Sequence, residues 1–305
     1  MKLPKKITIK EVSPRDGLQN EKLSISTEDK ITWINSLSET GLSYIEVSSF
    51  VHPKWIPQLA DASAVLEKIG RKPGITYAAL VPNLRGLVRA LETNVGEVSV
   101  FMSASEAHNQ NNINKSIEET YPVLEEVVKE AKIAGKTVRG YLSTVIGCPY
   151  EGRIAPSQVR KVADRLLSMG IDELSLGDTI GVGVPSQVEQ LLEELLPHFK
   201  TQQLAMHFHD TRGTALANIM KSIEMGITTF DSSLGGLGGC PYAKGASGNV
   251  ATEDLMYMLH EMGIDTGVDF KAVMKSAKLI KKILGKKLNS RQMDILLAEE
   301  KECLT

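Results

Sequence analysis

Apolar and polar residues follow two patterns that take turns along this chain. Short runs with a period of two, rich in β-branched residues, are each followed by a longer stretch whose apolar positions recur every three or four residues. The short runs predict strands at ITIKEVS (7–13), SYIEVSS (43–49), GITYAAL (74–80), GEVSVFM (96–102), KTVRGYL (136–142), DELSLGD (172–178), QLAMHFH (203–209) and TTFDSSL (228–234). The longer stretches predict helices between them, such as TEDKITWINSLSET (27–40), with Thr27 as the expected N-cap. Gly41, Gly135, Gly170 and Gly226 stand where such helices would end before the next strand.

Eight alternations at the spacing of a βα unit argue for a parallel sheet, and eight is the number that closes a (β/α)8 TIM barrel. A doubly wound open sheet is the competing architecture. No Pro- or Ser-rich linker interrupts residues 1–265, so the expectation is one α/β domain over 1–305. The barrel would fill about 1–265, and a C-terminal helical extension about 266–305. Within that extension, 269–284 and 289–301 read as two extra helices that cap a face or join an oligomer interface.

Composition narrows the class of function. The chain has 305 residues with 35 Lys+Arg against 37 Asp+Glu, a balance that gives no electrostatic case for nucleic acid or an anionic membrane. Three cysteines, Cys148, Cys240 and Cys303, are an odd number without metal-site spacing, which fits a reducing compartment. The basic start MKLPKKITIK has no apolar run behind it, and no stretch reaches the roughly 18 apolar residues of a spanning helix. A soluble, cytoplasmic protein is expected.

In a barrel of this kind the active site forms at the carboxyl ends of the strands and in the loops that follow. SPRDGLQNE after the first strand places Arg15 and Asp16 there; the second strand offers Glu46, the sixth Asp178, and the seventh His207, His209 and Asp210. Residues i and i+2 of a strand share a face, so both imidazoles would aim the same way, as half of a divalent metal site. A satisfied core pair is the alternative; convergence of Asp16 from the first strand favours metal. Asp16 and Asn249 would add oxygen ligands, a mixed set suited to Mg2+, Mn2+ or Co2+. Adjacent Arg15 and Asp16 would point apart on a strand, but Gly17 implies that the chain has already turned. Glu46 is read as a carboxylate orienting Arg15, and Asp210 as second to the metal or as a helix cap.

One stretch raises a further question. GGLGGCPYAKGASGN (235–249) sets Cys240 among glycines, either as an incidental residue of a connector or as a reactive group on a lid.

EVSPRDGLQNE (11–21), HFHDTRGTALANI (207–219) and GGLGGCPYAKGASGNVATEDL (235–255) together resemble the hydroxymethylglutaryl-CoA lyases, in the same order and across most of the chain. RDG-x-Q and H-x-H mark only the wider superfamily of metal-dependent barrel lyases, Claisen synthases and aldolases; the cysteine-bearing glycine loop is particular to the lyases. SASEAHNQNNINKS (103–116) resembles the family's loop after strand four. SLGG (233–236) departs from the valine and alanine more usual before the later glycines. The resemblance implies cleavage of 3-hydroxy-3-methylglutaryl-CoA to acetoacetate and acetyl-CoA with Mg2+ or Mn2+. It implies Asp16, His207, His209 and Asn249 as metal ligands, Arg15, Glu46 and Cys240 as further catalytic positions, and a homodimer.

That retro-Claisen chemistry fits the residue types. The tertiary hydroxyl must lose a proton, for which Asp16 is the candidate base and His207 an alternative only if it is not fully committed as a ligand. Arg15 would bind the substrate and meet charge on the thioester oxygen. Cys240, protonated at its ordinary pKa, or a metal-bound water would donate a proton to the enolate, with the glycine-rich segment closing over it. A lyase for a larger 3-hydroxyglutaryl-CoA and an acyl-CoA-dependent Claisen synthase or aldolase are the alternatives.

Overall fold

The protein is described by a computed structural model covering residues 3–239 and 248–302. Eight strands appear where the period-two runs predicted them: Thr8–Glu11, Tyr44–Ser49, Thr76–Leu80, Glu97–Ser103, Thr137–Ser143, Glu173–Asp178, Leu204–Phe208 and Thr229–Ser232. Each pairs in parallel with its sequence neighbours, and the first also pairs with the eighth (Thr8↔Thr229 through Glu11↔Ser232), so the sheet closes. That closure rules out the doubly wound alternative: the fold is a TIM barrel.

Alternation within the strands builds two different interiors. Val98 and Val100, Leu174 and Leu176, and Met206 and Phe208 join the apolar layer between barrel and helices. The intervening residues fill the barrel, and many carry charge. Lys10 bonds Glu173 at 2.8 Å, Arg139 bonds Glu173 at 2.6 Å and Asp231 at 2.7 Å, and Ser175 donates to Asp231 at 2.7 Å. Buried charges are tolerated only when paired and hydrogen-bonded, and this chain of contacts meets that condition across strands one, five, six and eight. An ionic barrel centre replaces the branched aliphatic layers usual for the fold.

The helix Thr27–Ser38 begins one residue earlier than expected for its cap. Ser26, not Thr27, caps it: the Ser26 hydroxyl accepts from the Asp29 amide, while Thr27 donates to Asp61 at 2.8 Å. Gly41, Gly135, Gly170 and Gly226 all have positive φ, as helix-ending residues should. The segment following strand four holds a helix, Glu106–Ile113, where a loop was expected. A short antiparallel hairpin, Gly147–Cys148 with Gly152–Arg153, was not legible in the pattern.

Both extra C-terminal helices are present, Phe270–Leu284 and Arg291–Glu302. The turn between them packs on the carboxyl end of the barrel, where the Asn289 amide donates to the Gly235 carbonyl at 3.0 Å. No helix among the described residues is long and apolar enough to cross a membrane.

Candidate active site and metal centre

The chain leaves strand one through a single wide turn, Ser13–Gly17, in which the Val12 carbonyl accepts from the amides of Asp16 and Gly17. Such i→i+5 turns recur at functional sites. It solves the problem posed by adjacent Arg15 and Asp16: both now face the barrel mouth, and an Arg15 guanidinium N–H donates to Asp16 Oδ1 at 2.6 Å. A side chain at position 17 would stand 2.9 Å from the Ser233 hydroxyl, so glycine is required by crowding.

His207 is the penultimate residue of strand seven, Leu204–Phe208, and His209 lies just past its end. Ligand atoms of Asp16, His207 and His209 all fall within 4.8 Å of one another. Backbone pairing places Asn249 opposite His209, with the Asp210 amide on the Gly248 carbonyl (2.8 Å) and the Val250 amide on the Phe208 carbonyl (3.0 Å). The Asn249 amide nitrogen then donates to Asp16 at 2.7 Å and to the Leu237 carbonyl at 2.9 Å.

The electrostatics suit a cation. Burial works against an ionised Asp16, yet Arg15, His207 and His209 outweigh it and hold the carboxyl below its usual range. Burial, with His207 close by, pulls His209 down to about 4, so its imidazole is neutral, the form that ligates. His209 Nδ1 is buried without a hydrogen-bond partner, an atom that a metal would satisfy or whose ring it would orient. His207 Nδ1 lies 3.1 Å from Asp231, which commits that nitrogen and leaves Nε2 for a ligand role. Asp231 is held far below its normal range: burial would raise its pKa, but Arg139 and His207 together overcome that.

Arg15 is fixed from three sides. Its Nε donates to Glu46 at 2.7 Å, it contacts Asp16, and its guanidinium lies 4.9 Å from the Tyr141 ring centre. Burial disfavours its charge, but Glu46 and Asp16 more than compensate, so it stays a cation. Glu46 is thus the orienting carboxylate expected from the sequence, and it also accepts from the Tyr141 hydroxyl at 2.9 Å. Arg139 lies 4.8 Å from the same ring, so Tyr141 is flanked by two guanidinium groups.

These groups open into a cavity of about 530 Å³, whose lining includes Arg15, Asp16 and His207 together with the apolar Leu80 and Phe101. Asp178 is held by its own loop, its carboxylate accepting the amides of Val182 (3.1 Å) and Gly183 (2.8 Å). Asp210 accepts from the Ala215 amide at 2.9 Å and so caps the helix Ala215–Glu224. Cys148 is buried against the Ser105 hydroxyl. Cys240 lies outside the described residues. The glycines leading to it are packed: a side chain at Gly236 would meet the Asn289 carbonyl at 2.5 Å, and one at Gly238 would meet Asn249 at 2.7 Å. Close approach, rather than freedom to swing, is what glycine supplies there.

Sequence reasoning missed Arg139, Tyr141, Ser175 and Asp231. The period-two rule that exposed His207 and His209 applies equally to Arg139-Gly-Tyr141 on strand five, and would have pointed both into the barrel.

Known proteins resemble this chain over nearly its whole length. A model of the HMGL-like family matches residues 6–280. The hydroxymethylglutaryl-CoA lyase of Bacillus subtilis is 59% identical over 295 residues, covering 97% of this chain and 99% of that protein. Its crystal structure superposes with a TM-score of 0.96. A Pseudomonas aeruginosa relative, a 3-hydroxy-3-isohexenylglutaryl-CoA/hydroxymethylglutaryl-CoA lyase, is 52% identical over 299 residues, covering 98% of this chain and all of its own. A structure of the hydroxymethylglutaryl-CoA lyase from that organism also gives a TM-score of 0.96. An Acinetobacter baumannii lyase solved with coenzyme A and 3-methylmalate is 40% identical, with a TM-score of 0.90 over 94% of each chain. The chain therefore belongs to the HMGL-like family of carbon–carbon lyases, alongside the hydroxymethylglutaryl-CoA lyases.

Proposed function

We propose that this protein cleaves 3-hydroxy-3-methylglutaryl-CoA to acetoacetate and acetyl-CoA. The observation that carries the reading is the meeting of Asp16, His207 and His209 within 4.8 Å, with the Arg15 cation touching Asp16 in one cavity. Asp16, His207, His209 and Asn249 would hold Mg2+ or Mn2+, Asn249 through its amide oxygen after a half-turn of the side chain. When bound, such a cation lowers the pKa of the substrate hydroxyl and neutralises charge beside it.

Asp16, ionised at neutral pH, accepts the proton of the C3 hydroxyl; His207 is an alternative acceptor only if it is not committed as a metal ligand. As the bond between C2 and C3 breaks, charge grows on the thioester oxygen. Arg15, already oriented by Glu46 and Tyr141, offers it a fixed cation that needs no reorganisation. Cys240 donates the proton that converts the enolate to acetyl-CoA. We read the protein as a cytoplasmic homodimer on family resemblance, which size-exclusion chromatography with light scattering tests.

Incubation with hydroxymethylglutaryl-CoA, with and without Mg2+ or Mn2+, should release acetoacetate only with metal. No product in either case sinks the reading. A lyase for a substrate with a larger C3 substituent is supported by the apolar wall of Leu80 and Phe101. Faster turnover of a longer-chain 3-hydroxyglutaryl-CoA than of the methyl substrate would favour it.

A further inference from the structure

Glu11 is a fully buried carboxylate that the proposed chemistry does not use. It ends strand one, and its two oxygens collect three donors. Oε1 accepts from the Ser13 and Leu234 amides, each at 3.0 Å, and Oε2 accepts from the Thr252 hydroxyl at 2.7 Å. Leu234 is 223 residues away in sequence and Thr252 is 241.

Each donor begins a segment that carries part of the site. Ser13 opens the turn bearing Arg15 and Asp16. Leu234 opens the glycine-rich stem that leads to Leu237, whose carbonyl takes the Asn249 amide at 2.9 Å. Thr252 opens the helix Thr252–Glu261, three residues past Asn249. The next amide of the stem, Gly235, is taken by a second buried carboxylate, Glu253, at 3.0 Å. Burying a carboxylate is costly, and hydrophobic packing with local caps would serve stability alone. What this placement adds is one anchor shared by all three segments, beside pairwise bonds such as the Thr252 amide on the Ser233 carbonyl at 3.2 Å.

We propose that Glu11 is a positioning residue: it sets the separation of Asp16 from Asn249 by tying the Arg15–Asp16 turn, the glycine-rich stem and the start of the following helix to one carboxylate. The inference rests on Asp16 and Asn249 forming the metal site. Its mechanism is geometric. A change in that separation would weaken the ligand set, as loss of supporting contacts does in metal sites generally.

The test measures Mn2+ affinity by electron paramagnetic resonance on the full-length, substrate-free protein. Glu11→Ala should bind Mn2+ at least about tenfold more weakly than wild type. Glu11→Gln, which keeps an oxygen for the Ser13 and Leu234 amides, should bind close to wild type. Leu192→Ala, in the outer helix Pro185–Leu195, serves as a control that lowers the melting temperature without touching the site, and should leave affinity unchanged. Should Glu11→Ala not fold, Thr252→Val removes one of the three ties and should still weaken Mn2+ binding. Wild-type affinity in both Glu11→Ala and Thr252→Val overturns the proposal, as does a loss in Leu192→Ala equal to that in Glu11→Ala, or a Glu11→Gln as damaged as Glu11→Ala. Absence of Mn2+ binding by the wild type would instead overturn the metal reading itself.

Discussion

Nδ1 of His207 lies 3.1 Å from Oδ2 of Asp231, inside the barrel and on the same carboxylate that Arg139 grips with two nitrogens. One interaction thereby fixes the histidine's tautomer and ring orientation, while the arginine keeps the carboxylate ionised. A ligand site at the mouth is supported from the ionic centre below it.

Asp231→Asn should lower Mn2+ affinity by about 10–100-fold, because the His207 ring exchanges a charged acceptor for a neutral amide oxygen that Arg139 and Ser175 also need. Isothermal titration with Mn2+ checks this. Retention of full affinity would show that His207 is held by packing alone.

Arg15→Lys should fail to restore what Arg15→Ala loses. The guanidinium serves Glu46, Asp16 and the Tyr141 face at once, and an ammonium lacks the planar fork to do so. Turnover should fall by about 10²–10³ in either variant, with far-ultraviolet circular dichroism unchanged. Steady-state kinetics on hydroxymethylglutaryl-CoA decide the matter.

Gly238→Ala should impair metal binding more than it impairs folding. A methyl group there stands 2.7 Å from the Asn249 amide nitrogen and 3.1 Å from an Asp16 carboxylate oxygen, on a backbone with φ of +95°. Pushing those two groups apart separates a proposed ligand pair. Mn2+ affinity at wild-type level in this variant would contradict the assignment of Asn249 to the site.

His209 predicts how stability responds to acid. Its pKa in the metal-free fold is about 4 against an ordinary 6.5, chiefly through burial. Between those values the unfolded chain binds a proton that the native state refuses, so stability must fall as pH drops through this window. The loss should be at most of order 3 kcal/mol. His209→Gln should flatten the melting-temperature profile between pH 6.5 and 4 relative to wild type. Parallel profiles for the two proteins would mean that His209 is not buried neutral.

Cys240→Ala should cut turnover by orders of magnitude while leaving Mn2+ affinity nearly intact, since the thiol is assigned to proton donation and not to the metal. Unchanged turnover would remove Cys240 from the reaction.

Much of this was legible in the residue order. Period-two runs fixed the eight strands to within a residue or two, because strand geometry repeats locally and each run reports its own two faces. The same local rule put His207 and His209 on one face, and Gly17 beside Arg15 and Asp16 announced the turn that brings both to the mouth. Tertiary structure decided what depends on contacts across the barrel. Arg139 meets Asp231 over 92 residues and Thr252 meets Glu11 over 241, separations that carry no periodic signature. It also decided why glycines stand at 235, 236 and 238: the turn after Phe270–Leu284 and the side chains of Asp16 and Asn249 stand where a Cβ would be. A sequence records which face a residue presents; only closure of the barrel determines what that face meets.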